Sequence, residues 1–132
     1  MSNVTRFSGF VKKGWGHEYI FATNDLYCGK LLHFTKKGNK FSMHFHAQKD
    51  ESWLVTNGSF ILRLLDTRDA TVRESVLNKG DSIRIYPLTI HQVEALEDDS
   101  ELFEVSTPDS DEDNYRVKPG DNQLARDRTN SN

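Results

Sequence analysis

The chain has little of what several functional classes require. Cysteine occurs once, at Cys28, so no intramolecular disulfide can form and a reducing compartment is expected. With no assignable base, Cys28 reads as a small buried hydrophobe rather than a nucleophile. Positive charge is not in excess: 17 Lys and Arg stand against 20 Asp and Glu, mixed along the chain, for a net charge of -3. That leaves no basic stripe for nucleic acid, although a local cluster can still meet an anionic substrate. Long apolar runs are missing too. Met1 to Phe10 lacks the cationic start and apolar core of a secretory leader, and no stretch approaches bilayer-crossing length. A cytoplasmic protein with neither a membrane nor a nucleic-acid partner is expected. Helical periodicity is also absent over any useful length.

Short strand-like runs separated by turn signals fill the space instead. A turn at TKKGNK, a hairpin turn at Thr56–Ser59 and a further turn at NKGD break up β-branched and aromatic residues at close intervals, the pattern of an all-β sandwich or barrel. With 132 residues the chain is long enough for one domain with its own core. The expected organisation is an N-terminal arm over 1–23, a β-barrel over 24–107 and a polar, acidic, partly disordered tail over 108–132, where apolar residues nearly vanish. Trp15, between two glycines, either belongs to a segment laid over the barrel's outside or mouth or plugs the core together with Tyr19. His33 reads as a structural or surface histidine.

The chemistry concentrates between Gly38 and Gly58, GNKFSMHFHAQKDESWLVTNG. Alternation along a strand puts His44 and His46 on one face with Ser42. If the strand carrying Glu51 pairs back, two imidazoles and a carboxylate converge, a donor set suited to Zn, Fe, Mn, Ni or Co with positions left for water or substrate. Trp53 and Val55 share the parity of Glu51 and should line the interior; Trp53 either packs or also stacks on substrate. On the opposite parity, Phe41, Met43 and Phe45 form an apolar outer side. Either the N-terminal segment or a second copy of the chain must cover it, and a homodimer is expected. Arg63, isolated among apolar residues, is either an edge residue or an anion clamp.

The spacing G-x5-H-x-H-x4-E-x6-G resembles the first motif of the cupin family at every specified position. GDSIRIYPLTIH, from Gly80 to His91, resembles the second, although Pro87 sits one place late and Leu88 stands where the family usually has glycine. The resemblance implies a double-stranded β-helix, the jelly-roll or cupin barrel. It also implies one divalent transition metal per chain, held by His44, His46, Glu51 and His91.

A narrower likeness is carried by FS-x-x-x-H-x4-E-x-W-x-V-x-x-G from Phe41 to Gly58, by KKGWGHEY at the start and by an acidic segment after the last strand. These are similar to the cupin domain of type II mannose-6-phosphate isomerases. Two positions depart from it: His44 stands where those enzymes commonly carry glutamine, and Gln92 where they usually carry arginine. The likeness implies aldose–ketose isomerisation of a phosphorylated sugar, with Glu104 or Tyr19 as the base and Glu18 also near the site. Arg63, Arg84, Trp53 and Ser42 are then the substrate contacts, and Asp111 and Asp113 either close over the pocket or remain solvated. A metal-dependent cupin oxygenase and a non-enzymatic sugar- or small-ligand-binding cupin use the same residues differently.

Overall fold

A computed structural model describes Val4 and residues 9–124. It contains eleven strands: β1 (Phe10–Lys13), β2 (Gly16–Thr23), β3 (Cys28–Phe34), β4 (Met43–Phe45), β5 (Glu51–Asn57), β6 (Ser59–Asp66), β7 (Thr71–Asn78), β8 (Ser82–Ile85), β9 (Ile90–Ala95), β10 (Ser100–Ser106) and β11 (Tyr115–Lys118). They pair antiparallel in a six-stranded sheet, β1-β2-β3-β10-β5-β8, and a five-stranded sheet, β11-β4-β9-β6-β7. Neighbours in each sheet are mostly distant in sequence, the crossed connectivity of a jelly roll. Among the described residues no helix is long and apolar enough to cross a membrane.

The inward side chains of each strand change character along its length. On β3 they run Phe34, Leu32, Lys30; on β10, Leu102 then Glu104; on β5, Val55, Trp53, Glu51; on β9, Ala95, Val93, His91. Register lines these columns up, since Leu102 opposes Leu32 and Val55 while Glu104 opposes Lys30 and Trp53. One end of the barrel is therefore a closed apolar core, with Phe34, Phe60 and Leu102 at 0% exposure. The other end collects every inward charge.

Both flanking regions belong to the barrel. Residues 10–23, expected as an arm, supply β1 and β2 of the six-stranded sheet. Residues 108–124, expected as a tail, cross the polar end, pair through β11 with β4 and finish in one helical turn over 121–124. The partly disordered end, where it falls in 125–132, lies outside the described residues. The apolar outer side of the histidine strand also differs from expectation. The chain is irregular before β4, so Phe41 turns inward against Phe34, Trp53 and His91. Met43 is buried, and Phe45 stacks on Tyr115 at 5.0 Å. The C-terminal segment covers this face.

Candidate metal centre

His44 and His91 are direct cross-strand partners on β4 and β9, with ring centroids 4.5 Å apart. His46, two residues on, has its ring 4.9 Å from that of His44 and 5.7 Å from that of His91. One ring nitrogen from each of the three lies within 4.8 Å of the others. Every Nδ1 is occupied by a backbone carbonyl: His44 donates to Ser42 at 2.7 Å, His46 to Asp113 at 2.6 Å and His91 to Thr89 at 2.8 Å. That fixes one tautomer for all three and leaves each Nε2 a bare acceptor. Burial pushes the pKa of His91 down to about 4, holds His44 well below its usual range and lowers His46. The imidazoles are neutral, as metal ligands must be.

Glu51 enters from β5 in the opposite sheet. The Trp53 indole donates to its Oε1 at 2.7 Å, and its Oε2 lies 3.4 Å from His46 Nε2. Glu51 Oε2 and His91 Nε2 are buried atoms without a hydrogen-bond partner. Buried acceptors left without partners are costly unless a cation meets them, so the three-histidine cluster, with Glu51 beside His46, fits a metal ion. Burial, and then the Glu104 carboxylate, push the Glu51 pKa up to about 8.

Behind Glu51 sits a charge network. Lys49 Nζ lies 3.0 Å from Glu104 Oε2, 3.0 Å from Asp109 Oδ1 and 3.8 Å from Glu51 Oε2. Lys30 Nζ is 2.6 Å from Asp109 and 3.9 Å from Glu104. Burial works to lower both lysine pKa values, but Glu104 and its neighbouring carboxylates outweigh it and raise them. Glu104 is held ionised in turn: burial pushes its pKa up, Lys49 and Lys30 pull it further down.

These groups line a cavity of about 170 Å³ at the polar end of the barrel. Of the expected site residues, Ser42, His44, His46, Glu51, His91 and Glu104 all line it. Trp53 does not; it is 2% exposed and serves as the Glu51 donor. Tyr19 faces outward, because strand alternation gives the inward place to Glu18, which does line the cavity. Arg63 lies on the outer side of the five-stranded sheet, paired with Glu74 at 3.0 Å and Glu94 at 3.2 Å. Arg84 is also outside, held by Asp50 at 2.6 Å and lying over Tyr86. Neither guanidinium reaches the cavity, since each has a local carboxylate and the wrong parity. Asp111 lines the cavity, whereas Asp113 binds the loop after His46. His33 lies on the outer side of the six-stranded sheet, within 3.0 Å of Asp99.

The sequence reading missed Lys13, Lys30, Lys49, Asp109 and Arg116, all of which line the cavity. Only Lys30 carried a local signal, sharing the parity of Leu32 and Phe34. The turn before His91 keeps its glycine-like shape without glycine: Leu88 has φ 68° and its N–H donates to His46 O at 2.7 Å. A left-handed leucine costs on the order of 1–2 kcal/mol, which that hydrogen bond helps to offset.

A jelly roll with three histidines and a glutamate gathered at one end is the cupin architecture. Solved structures bear out the fold. The capsular polysaccharide assembling protein CapF from Staphylococcus aureus superposes with a TM-score of 0.74 at 19% identity, covering 88% of this chain and 34% of that one. Oxalate decarboxylase from Bacillus subtilis gives 0.72 at 17% identity, covering 89% of this chain and 33% of that one. KdgF from Halomonas sp. gives 0.60 at 25% identity, covering 73% and 81%. The chain thus spans about a third of the length of CapF and of oxalate decarboxylase. No protein-family model and no curated protein sequence matches it.

Proposed function

We propose that this protein is a metal-dependent isomerase interconverting the aldose and ketose forms of a phosphorylated sugar. One observation carries the reading: one ring nitrogen from each of the three histidines lies within 4.8 Å of the others, with Glu51 Oε2 3.4 Å from His46 Nε2 and the ionised Glu104 carboxylate lining the same cavity. His44, His46, His91 and Glu51 would hold one divalent transition metal, with Zn, Mn, Fe, Ni and Co all compatible with the donors. When bound, such an ion supplies Lewis-acid stabilisation of negative charge on the substrate oxygens.

Glu104 is the base of this proposal. Its carboxylate takes the proton from the carbon beside the carbonyl and the C–H electron pair enters an enediolate; the carboxylic acid so formed exchanges with solvent and delivers a proton to the neighbouring carbon, while a proton passes from one enediolate oxygen to the other. No oxidant or reductant is consumed. Lys49 and Lys30 keep Glu104 ionised, and Ser42 orients substrate. The anion clamp passes from Arg63 and Arg84 to Lys13 and Arg116. These two line the cavity from opposite sheets, and their side chains have no ion pair or hydrogen bond among the described residues. Phosphate recognition by such cations follows from charge and, for Arg116, from its forked donors.

The experiment is metal analysis of the purified protein followed by turnover of a sugar-phosphate panel in D2O, with and without oxygen. Oxygen-independent aldose-to-ketose conversion with deuterium entering at the exchanged carbon is expected. Oxygen uptake would install the oxygenase reading instead, and ligand binding without turnover the binding module. His46→Ala should strip the metal; stoichiometric metal in that variant would refute the ligand assignment.

The reading includes a homodimer and a reducing, cytoplasmic setting, the latter because the single cysteine is buried and free. The outer side of the six-stranded sheet carries an apolar row set by register: Phe10, Tyr19, Leu31, Phe103 and Leu54. Phe10 is 54% exposed and Leu54 40%. The adjacent row reads Lys12, His17, His33, Glu101, cationic at one end and acidic at the other. A two-fold axis along the strands between β2 and β3 brings Lys12 of one copy against Glu101 of the other and Phe10 against Phe103. The face is complementary to itself, so a second copy of this chain is its occupant.

A further inference from the structure

The three histidines are not oriented by the same kind of contact. The carbonyls that receive His44 and His91 belong to residues two positions earlier in the same stretch of chain, so those rings are set locally. The acceptor for His46 Nδ1 is Asp113 O, 67 residues away. His46 alone takes its orientation from the segment crossing the barrel mouth.

Asp113 does more than accept that proton. Its carboxylate receives three consecutive backbone N–H groups: Ala47 at 2.7 Å, Gln48 at 3.1 Å and Lys49 at 3.0 Å. Successive N–H groups converging on one anion form a rigid concave cradle. These amides belong to the loop between His46 and Glu51, so a single residue ties down the His46 ring and the chain connecting it to the carboxylate opposite.

The far end of the segment is pinned independently. Asp121 exchanges backbone contacts with Lys40, donating to its carbonyl at 3.0 Å and receiving its N–H on Oδ2 at 2.8 Å. Asn122 Oδ1 receives Gly14 N–H at 3.0 Å. Gly120 lies so close to the backbone of Phe41 and Ser42 that a Cβ there would collide with it. Two anchors bracket β11, and between them Arg116 lines the cavity.

We propose that Asp113 is the positioning residue of the metal centre, clasping the 108–124 segment onto the His46–Glu51 loop so that His46 Nε2 is aimed at the ion. The inference rests on the metal reading above. Removing the carboxylate leaves His44 and His91 seated by their own local carbonyls and loosens His46 together with the loop that leads to Glu51. Gly120→Ala should act from the far anchor in the same direction, more weakly.

The test is Co(II) titration against a competing chelator, with the visible d–d spectrum of the Co(II)-loaded protein recorded in parallel and circular dichroism as the fold control. Asp113→Ala is expected to weaken Co(II) binding about 10- to 100-fold, the range for loss of a contact that orients a ligand, with a spectrum changed in band shape. Asp113→Asn, which can accept but not with two anionic oxygens, should fall between. If Asp113→Ala does not fold, Asp113→Asn and Gly120→Ala decide the matter by the same titration. Unchanged affinity and spectrum in the folded variants, beside a parent protein that binds Co(II), overturn this inference and leave the metal reading standing. A parent protein that binds no Co(II) overturns both.

Discussion

Glu104 shows how much a single position depends on company. In the sequence it is one acid in the last barrel strand, and alternation alone allows it to face inward. What keeps it ionised is a pair of lysines from β3 and from the loop before β5, with Nζ atoms 3.9 and 3.0 Å away. These keep a fully buried carboxylate charged where it would otherwise take up a proton. Glu104→Gln preserves volume and removes the charge. Under the isomerase reading, turnover should fall about 10²- to 10⁴-fold, the usual share of a general base, with metal content unchanged by elemental analysis. Undiminished turnover would remove Glu104 from the mechanism. The same logic explains the residues that sequence misplaced. Tyr19 and Glu18 are adjacent and so face opposite ways, and only the register of β2 against β3 decides which is inside. Arg63 and Arg84 looked free because their partners, Glu74, Glu94 and Asp50, lie on other strands or loops.

At the scale of elements, the segment over 108–124 departs furthest from what its composition suggests. A run rich in Asp and Asn reads as solvated chain, since it has too little apolar surface to repay ordering. It is ordered by a different currency: its charges meet opposite charges and backbone amides presented by the barrel. Asp109 is the clearest case. Although partial burial works against it, Lys49 and Lys30 hold its pKa down to about 2, against an ordinary 3.8. A folded-state pKa below the unfolded one means stability that is fully present above about pH 4 and is lost as pH falls through about 2. The full shift would be worth about 2 kcal/mol. More than a third of the side chain is exposed, so solvent screening leaves about 1 kcal/mol. Urea titrations of Asp109→Asn should therefore show about 1 kcal/mol less stability than the parent at pH 6, the gap closing toward pH 2. A gap that does not change with pH would mean that the ion pairs contribute nothing.

For the whole molecule, the exposed aromatic row on the six-stranded sheet predicts association. Sedimentation at tens of micromolar should give about twice the 15.2 kDa chain mass. Phe10→Glu, at a side chain already 54% exposed, should yield a folded monomer, because it sets a charge against the Phe103 ring of the other copy. Lys12→Glu should weaken the dimer, and adding Glu101→Lys should restore it. A parent protein that sediments as a monomer, or a double variant no better than the single, would sink this arrangement.

Sequence by itself determined the candidate ligands and the architecture. His44 and His46 share a face because strand side chains alternate, and Glu51 and His91 were visible as the same family spacing continued. Short strands between turns left room only for an all-β fold. The cations that meet the cavity, the loss of Arg63 and Arg84 from it, the inward turn of Phe41 and the clasp at Asp113 were decided by tertiary structure alone. The physical reason is range. Alternation and turn chemistry act over a few residues and are written in order along the chain. The pairing of a buried charge with its counter-charge depends on which distant strands register brings together, as when Asp113 meets His46 from 67 residues away.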